Sequence, residues 1–196
     1  MHHPILAVDR AWNPDRWIDA ETAVRHYCRG QVSQFLGEHR QVFRGGVNAA
    51  TGKQSIVEIG SIAVLDSDDF FVRDFSWAPL PSRETLFVRD HYMCAYCGEV
   101  FRSKELDAEH VRPESKGGKY EWTNLVTSCK ACNAQKRNRT PEEAGMPLLY
   151  LPYKPSRFEG LILANRKILA DQMEFLLHRV PASSRFRMMA SKVQRA

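Results

Sequence analysis

Two Cys-x-x-Cys pairs, Cys94/Cys97 and Cys129/Cys132, constrain this 196-residue chain more than any other feature. Together they supply the four sulfurs that one tetrahedral zinc ion takes. A Zn2+ held there would staple a segment too small to keep a polar site rigid by itself. The 31 residues between Cys97 and Cys129 exceed the usual spacer of a plain zinc ribbon, so this loop must carry structure of its own. A redox role would need one Cys-x-x-Cys pair, not two. Disulfides would need an oxidising compartment, and the N-terminus shows no basic region followed by a long apolar run. Reduced thiols in a cytoplasmic setting are therefore expected. Cys28 stands apart from the pairs, and helical spacing around it predicts a buried, inert thiol.

Hydrophobic residues make up 43% of the chain and charged residues 26%, which suits a folded globular protein and argues against wholesale disorder. The longest apolar runs, such as Ile62-Ala63-Val64-Leu65, are too short to cross a bilayer, so no membrane association is expected. Charge is unevenly spread. Residues 1–92 carry 10 basic and 12 acidic side chains, whereas 93–196 carry 18 basic and 11 acidic. The basic half is the half with the paired cysteines, which points to a polyanionic partner for that half. The acidic balance of the first half suggests instead a protein contact through the N-terminal part, or a regulatory or structural role. Oligomeric state is not fixed by the sequence.

An α+β architecture is expected in three parts: a small N-terminal α/β unit over 1–80, a metal-stapled module over 81–150, and a C-terminal helix with a basic tail over 151–196. Residues 4–8 read as a strand. Asp19 caps a helix that Gly30 ends. Strands are expected near 41–43, 55–65 and 70–75, separated by turns at Gly45-Gly46 and 66–69. Trp77 to Pro81 and the Pro152/Pro155 segment read as linkers, and Ser82-x-x-Thr85 as the start of a short helix. Phe158, Leu161, Ile162, Ile168, Leu169, Met173 and Leu176 fit one stripe of a single helix ending near His178. Arg185, Arg187, Lys192 and Arg195 give a tail without acids.

The stapled loop reads as a hairpin followed by a helix. One strand spans 106–111, Gly117-Gly118 lies in the connection, 125–127 form the second strand, and a helix opens from Cys132. Inside it sit Glu109, His110, Asn124 and Asn133 among Lys and Arg side chains, the equipment of a metal-dependent nuclease. A zinc deaminase is disfavoured, since that chemistry wants His-x-Glu and Pro-Cys-x-x-Cys. Here Val111-Arg112 follow His110 and Ser128 precedes Cys129.

Taken together, Arg89-Asp90-His91-Tyr92-Met93-Cys94-Ala95-Tyr96-Cys97-Gly98, Glu109-His110-Val111-x-Pro113, Gly117-Gly118, Trp122-x-Asn124-Leu125-Val126, Cys129-x-x-Cys132-Asn133-x-x-Lys136 and the segment Thr140-Pro141-Glu142-Glu143-Ala144-Gly145 resemble the zinc-stapled HNH endonucleases. The resemblance covers roughly residues 86–148. It implies that His110 is the general base on the attacking water and that Glu109 and Asn133 hold a catalytic Mg2+ or Mn2+. It implies as well that Asn124 ties the loop so that His110 points correctly. Two positions depart from the commonest pattern. Glu109 stands where Asp is usual, adding one methylene to a metal ligand. Asn133 stands where His is also common, which favours a hard metal. His91 reads as a packing residue. Arg112, Lys116, Lys119, Lys130, Lys136, Arg137 and Arg139 surround the site as candidate phosphate contacts. The competing expectation is a catalytically inactive zinc-stapled nucleic-acid-binding module.

Overall fold

The computed structural model describes residues 3–66 and 77–187, so the expected strand at 70–75, Lys192 and Arg195 lie outside the described residues. The fold is α+β, and the chain divides into two units. One comprises residues up to 66 together with 165–179, the other 77–164 with 180–187. Among the described residues no helix is long and apolar enough to cross a membrane.

The first unit is built on a four-stranded mixed sheet of order β2-β1-β6-β3: β2 (Pro14–Ile18), β1 (Ile5–Val8), β6 (Ile62–Leu65) and β3 (Val32–Leu36). The two inner strands pair in parallel, and both are apolar runs buried along their full length, as two-sided burial requires. α1 (Ala20–Cys28) starts at Asp19, whose carboxylate accepts from the Thr22 amide at 2.6 Å. That hydrogen bond also holds the Asp19 carboxyl below its usual range. The helix buries Ala20 and Ala23, which meet Ile5, Ala7, Ile59, Ala63 and Leu65 in one core. The buried stripe stops there. Cys28, expected buried, is exposed, because the last turn of α1 carries no packed face at that position.

β4 (Gln41–Val47) and β5 (Gln54–Ile59) form a separate hairpin. Gly45 and Gly46, expected as a turn, lie inside β4. The register shifts between Arg44 and Val47, so the glycines serve a bulge. The reversal comes later, where the Asn48 side chain accepts from the amides of Ala50 (2.9 Å) and Thr51 (3.1 Å). The single strand expected over 55–65 is two strands, broken at Gly60. A Cβ there would lie 2.2 Å from the Leu36 carbonyl oxygen, so only glycine permits this approach.

The expected single C-terminal helix is also two: α5 (Arg157–Ala164) in the second unit and α6 (Ala170–Arg179) in the first. Asn165 breaks the run by accepting from the Lys167 amide at 2.9 Å, and Gln172 accepts from the Leu169 amide at 3.0 Å to start the next helix. Buried Gln172 also donates to the carbonyls of Pro4 (2.8 Å) and Ser61 (2.7 Å), tying α6 to the ends of two strands.

In the second unit, α2 (Arg83–Arg89) begins with a capping box between Ser82 and Thr85. It is followed by the hairpin β7 (Leu106–His110) and β8 (Leu125–Cys129), by α3 (Lys130–Lys136), and by α4 (Pro141–Ala144) with its own capping box at Thr140. α2 ends in a fully buried ion pair, Arg89 with Asp90. The proline segments on either side are pinned rather than free. Trp122 donates to the Pro79 carbonyl at 2.7 Å, and Arg89 donates to the Tyr153 carbonyl at 2.9 Å. His91, at φ 54°, packs its ring 5.3 Å from that of Phe186.

Candidate metal centre and active site

The four paired cysteines converge. Cys94 and Cys97 lie in a turn closed by Gly98 at φ 79°, whose amide donates to the Cys94 carbonyl at 3.0 Å. The Ala95 amide donates to the Thr127 carbonyl at 2.8 Å, which fixes this turn against β8. Cys129 ends β8 and caps α3, its sulfur accepting from the Cys132 amide at 3.4 Å. The four sulfurs all lie within 4.8 Å of one another. A tetrahedral ZnS4 site with bonds of about 2.3 Å has sulfur–sulfur edges of about 3.8 Å, so the cluster can hold a metal ion such as zinc.

Its electrostatics favour a cation. Burial opposes ionisation of Cys94, yet the amides of Cys97, Cys129 and Tyr96 bring its thiol down to about 7. Burial pushes Cys97 up, and it pushes Cys132 up together with the sulfurs of Cys129 and Cys94 beside it. One thiolate is comfortable here and four are not, unless a dication neutralises them.

β7 carries the polar residues beside this staple, and strand alternation separates them. Asp107 and Glu109 leave β7 on one face and His110 on the other. The first face meets α3, whose Asn133 and Lys136 are one turn apart. The Asn133 Nδ2 donates to Asp107 Oδ2 at 3.4 Å, and Lys136 Nζ donates to Glu109 Oε1 at 2.6 Å and to the His110 carbonyl at 2.8 Å. Asp107 is also paired with Arg83 at 3.2 Å. His110 stands at the end of β7, opposite Leu125, with its ring 5.7 Å from that of Tyr120. Its Nε2 lies 3.4 Å from a Glu114 carboxylate oxygen but makes no hydrogen bond, so the approach counts only as proximity.

Asn124 stands apart from both faces, in the connection between the strands. Its Oδ1 accepts from the Arg112 amide at 2.9 Å, and its Nδ2 donates to the carbonyls of Lys119 (2.9 Å) and Arg112 (3.1 Å). The Val111 amide donates to the Asn124 carbonyl at 2.8 Å. Gly118 is required in this loop, since a Cβ there would lie 1.8 Å from the Arg112 carbonyl oxygen.

The cations expected around the site divide into three groups. Arg112, Lys119, Lys130 and Arg137 are exposed. Lys116 is paired with Glu143, and Arg139 donates to the carbonyls of Lys136 (3.1 Å) and Gln135 (2.7 Å) at the end of α3. Lys136, counted with the surface cations by sequence, is fully buried and turned inward, because its ammonium finds a carboxylate and a carbonyl under α3. Asp107 and the inward role of Lys136 were missed from sequence. The alternation of β7 pairs Asp107 with Glu109, and the helical spacing of α3 pairs Asn133 with Lys136; those two periodicities were the available signal.

Glu109, Asn133 and Asp107 carry oxygen atoms of the kind hard divalent cations take, with Glu109 already paired with Lys136 and Asp107 with Arg83. Residues 94–149 match the family model described as HNH endonuclease, a span that takes in the four cysteines, both strands of the hairpin, α3 and α4. No curated protein matches the chain. Over this segment the chain is similar to an HNH endonuclease, which suggests a nuclease-like module, and its four-cysteine cluster could hold a metal as in the zinc-stapled form.

Proposed function

We propose that this chain is a metal-dependent DNA endonuclease in which zinc holds Cys94, Cys97, Cys129 and Cys132 together and His110 is the general base. The observation that carries the reading is His110 Nε2. It is buried at the end of β7 without a hydrogen-bond partner among the described residues, 3.4 Å from a Glu114 carboxylate oxygen, inside the matched segment and next in sequence to Glu109. A neutral imidazole with a free ring nitrogen can take the proton of a water whose oxygen bonds to phosphorus as the bond to the 3′ oxygen breaks. Glu109 and Asn133 would hold Mg2+ or Mn2+, which supplies stabilisation of charge on the phosphate and the departing oxygen. Asn124, with its three side-chain hydrogen bonds, fixes the chain directly after His110 and so aims the ring. Of the candidate phosphate contacts, Arg112, Lys119, Lys130 and Arg137 are exposed and without a side-chain partner among the described residues, so they are the ones to meet DNA phosphates.

One observation favours the competing reading of an inactive nucleic-acid-binding module: Lys136 already neutralises Glu109. The two separate on supercoiled plasmid with Mg2+ or Mn2+. The endonuclease nicks or linearises it, and His110→Ala slows this by about 10²-fold or more while keeping its zinc. Intact plasmid from both proteins across metals, with DNA binding retained, would establish the binding module instead.

A further inference from the structure

Lys136 is a long cationic side chain at a helix end, where lysines ordinarily reach water. Here its exposure is 0%, and Glu109 is nearly as covered, with 13% of its side chain exposed. The ammonium takes one carboxylate oxygen, Oε1, and the carbonyl of His110, and leaves Glu109 Oε2 uncommitted among the described residues. The backbone of Lys136 is itself held, since Arg139 Nε donates to its carbonyl at 3.1 Å. A buried ammonium with this grip cannot swing out to solvent without disturbing α3. The neighbouring carboxylate, Asp107, has a separate cation in Arg83, so it does not compete for Lys136.

We propose that Lys136 is a positioning residue of the ion site: an internal cation that holds Glu109 by one oxygen and the His110 peptide by its carbonyl, and leaves the second Glu109 oxygen for the divalent ion. This rests on the nuclease reading above and adds a trade-off to it. A unit positive charge 2.6 Å from a ligand oxygen repels an incoming dication and weakens its binding. The same contact orients the carboxylate and ties the ion's ligand to the residue that carries the base. Ion affinity and turnover therefore move in opposite directions when the charge is removed. A residue that only supported the fold would move both downward.

The test is Mn2+ titration of the full chain, with free Mn2+ read from its electron paramagnetic resonance signal, beside single-turnover cleavage of supercoiled plasmid. Lys136→Met removes charge and donors, Lys136→Gln removes the charge but keeps a donor for the His110 carbonyl, and Lys136→Arg keeps the charge. The two neutral variants are expected to bind Mn2+ about tenfold more tightly or better and to cleave at least about tenfold more slowly, with Lys136→Arg within about threefold of the parent affinity. Neutral variants that bind Mn2+ no more tightly than the parent overturn the proposal. So does loss of zinc and of cooperative unfolding in both, which would make the pair purely structural. If the parent and Glu109→Gln bind Mn2+ equally weakly, the assignment of the ion to Glu109 fails and the proposal with it, whereas the nuclease reading falls only if the parent also leaves the plasmid intact.

Discussion

Arg89 has all five guanidinium protons engaged inside the protein. Two go to Asp90, at 2.9 and 3.0 Å, and three to the carbonyls of Trp122, Tyr153 and Leu125, at 2.8 to 2.9 Å. Its plane also lies over the rings of Trp122 (5.3 Å) and Tyr153 (5.4 Å). Asp90 in turn accepts from the Thr127 amide on β8 at 2.9 Å. One planar fork thus joins α2, the hairpin and the 153 segment, which lysine's point charge cannot do. Arg89→Lys is expected to cost about 3 kcal/mol or more, because it leaves buried carbonyls unmet while Asp90 stays buried. Urea unfolding measures this; a loss under about 1 kcal/mol would mean that water replaces the missing donors. The lysine contrast recurs at Lys136, whose compact ammonium suits a carboxylate and a single carbonyl.

The hairpin and α3 are short elements, five, five and seven residues, and none would persist alone in water. Thiolate–metal bonds at both ends would supply what the small core around Ala95, Val126 and Tyr150 lacks. Purified protein should therefore carry about one zinc per chain, and stripping it should cost on the order of 10 kcal/mol. The expected outcome is loss of hydrogen-exchange protection at the β7, β8 and α3 amides, with recovery on adding zinc. Unchanged protection in metal-free protein would show that packing alone holds the staple closed. Element boundaries elsewhere depended on distant partners. Asn165 and Gln172 cut one apolar stripe into α5 and α6, although the spacing of Leu161, Ile162, Ile168 and Leu169 is continuous by pattern.

At the scale of the molecule, net positive charge gathers in the half that contains the HNH module. Of the seven candidate phosphate contacts, four (Arg112, Lys119, Lys130 and Arg137) are exposed and keep no side-chain hydrogen bond or ion pair among the described residues. Each phosphate contact contributes about −0.9 to the slope of log affinity against log salt, so if these four meet phosphates the expected slope is about −3 to −4 on duplex DNA. Neutralising Lys130 and Arg137 together should make it shallower by about two, and Lys136→Met should leave it unchanged because that charge faces inward. Fluorescence anisotropy across a salt series reads the slope. If the double variant keeps the parent slope, those side chains are solvated charge and the DNA path runs elsewhere.

What the sequence determined by itself is what short-range chemistry dictates. Thiol spacing named the metal cluster, Asp19 and Ser82 marked helix starts through their own side chains, and the Glu109–His110 and Asn133 motif marked the module that the family match covers. Within each Cys-x-x-Cys pair and each helix cap the partners lie a few residues apart, and the chain carries them wherever it goes. The strands β2 and β3, the bulge at Gly45-Gly46, the exposure of Cys28 and the burial of Lys136 were decided by the tertiary structure. Lys136 shows the reason most clearly. By sequence it is one more lysine in a basic run, and only the packing of α3 against β7 brings a carboxylate 27 positions earlier within reach of its ammonium. A side chain's charge is written locally, whereas its solvation depends on what the rest of the chain places around it.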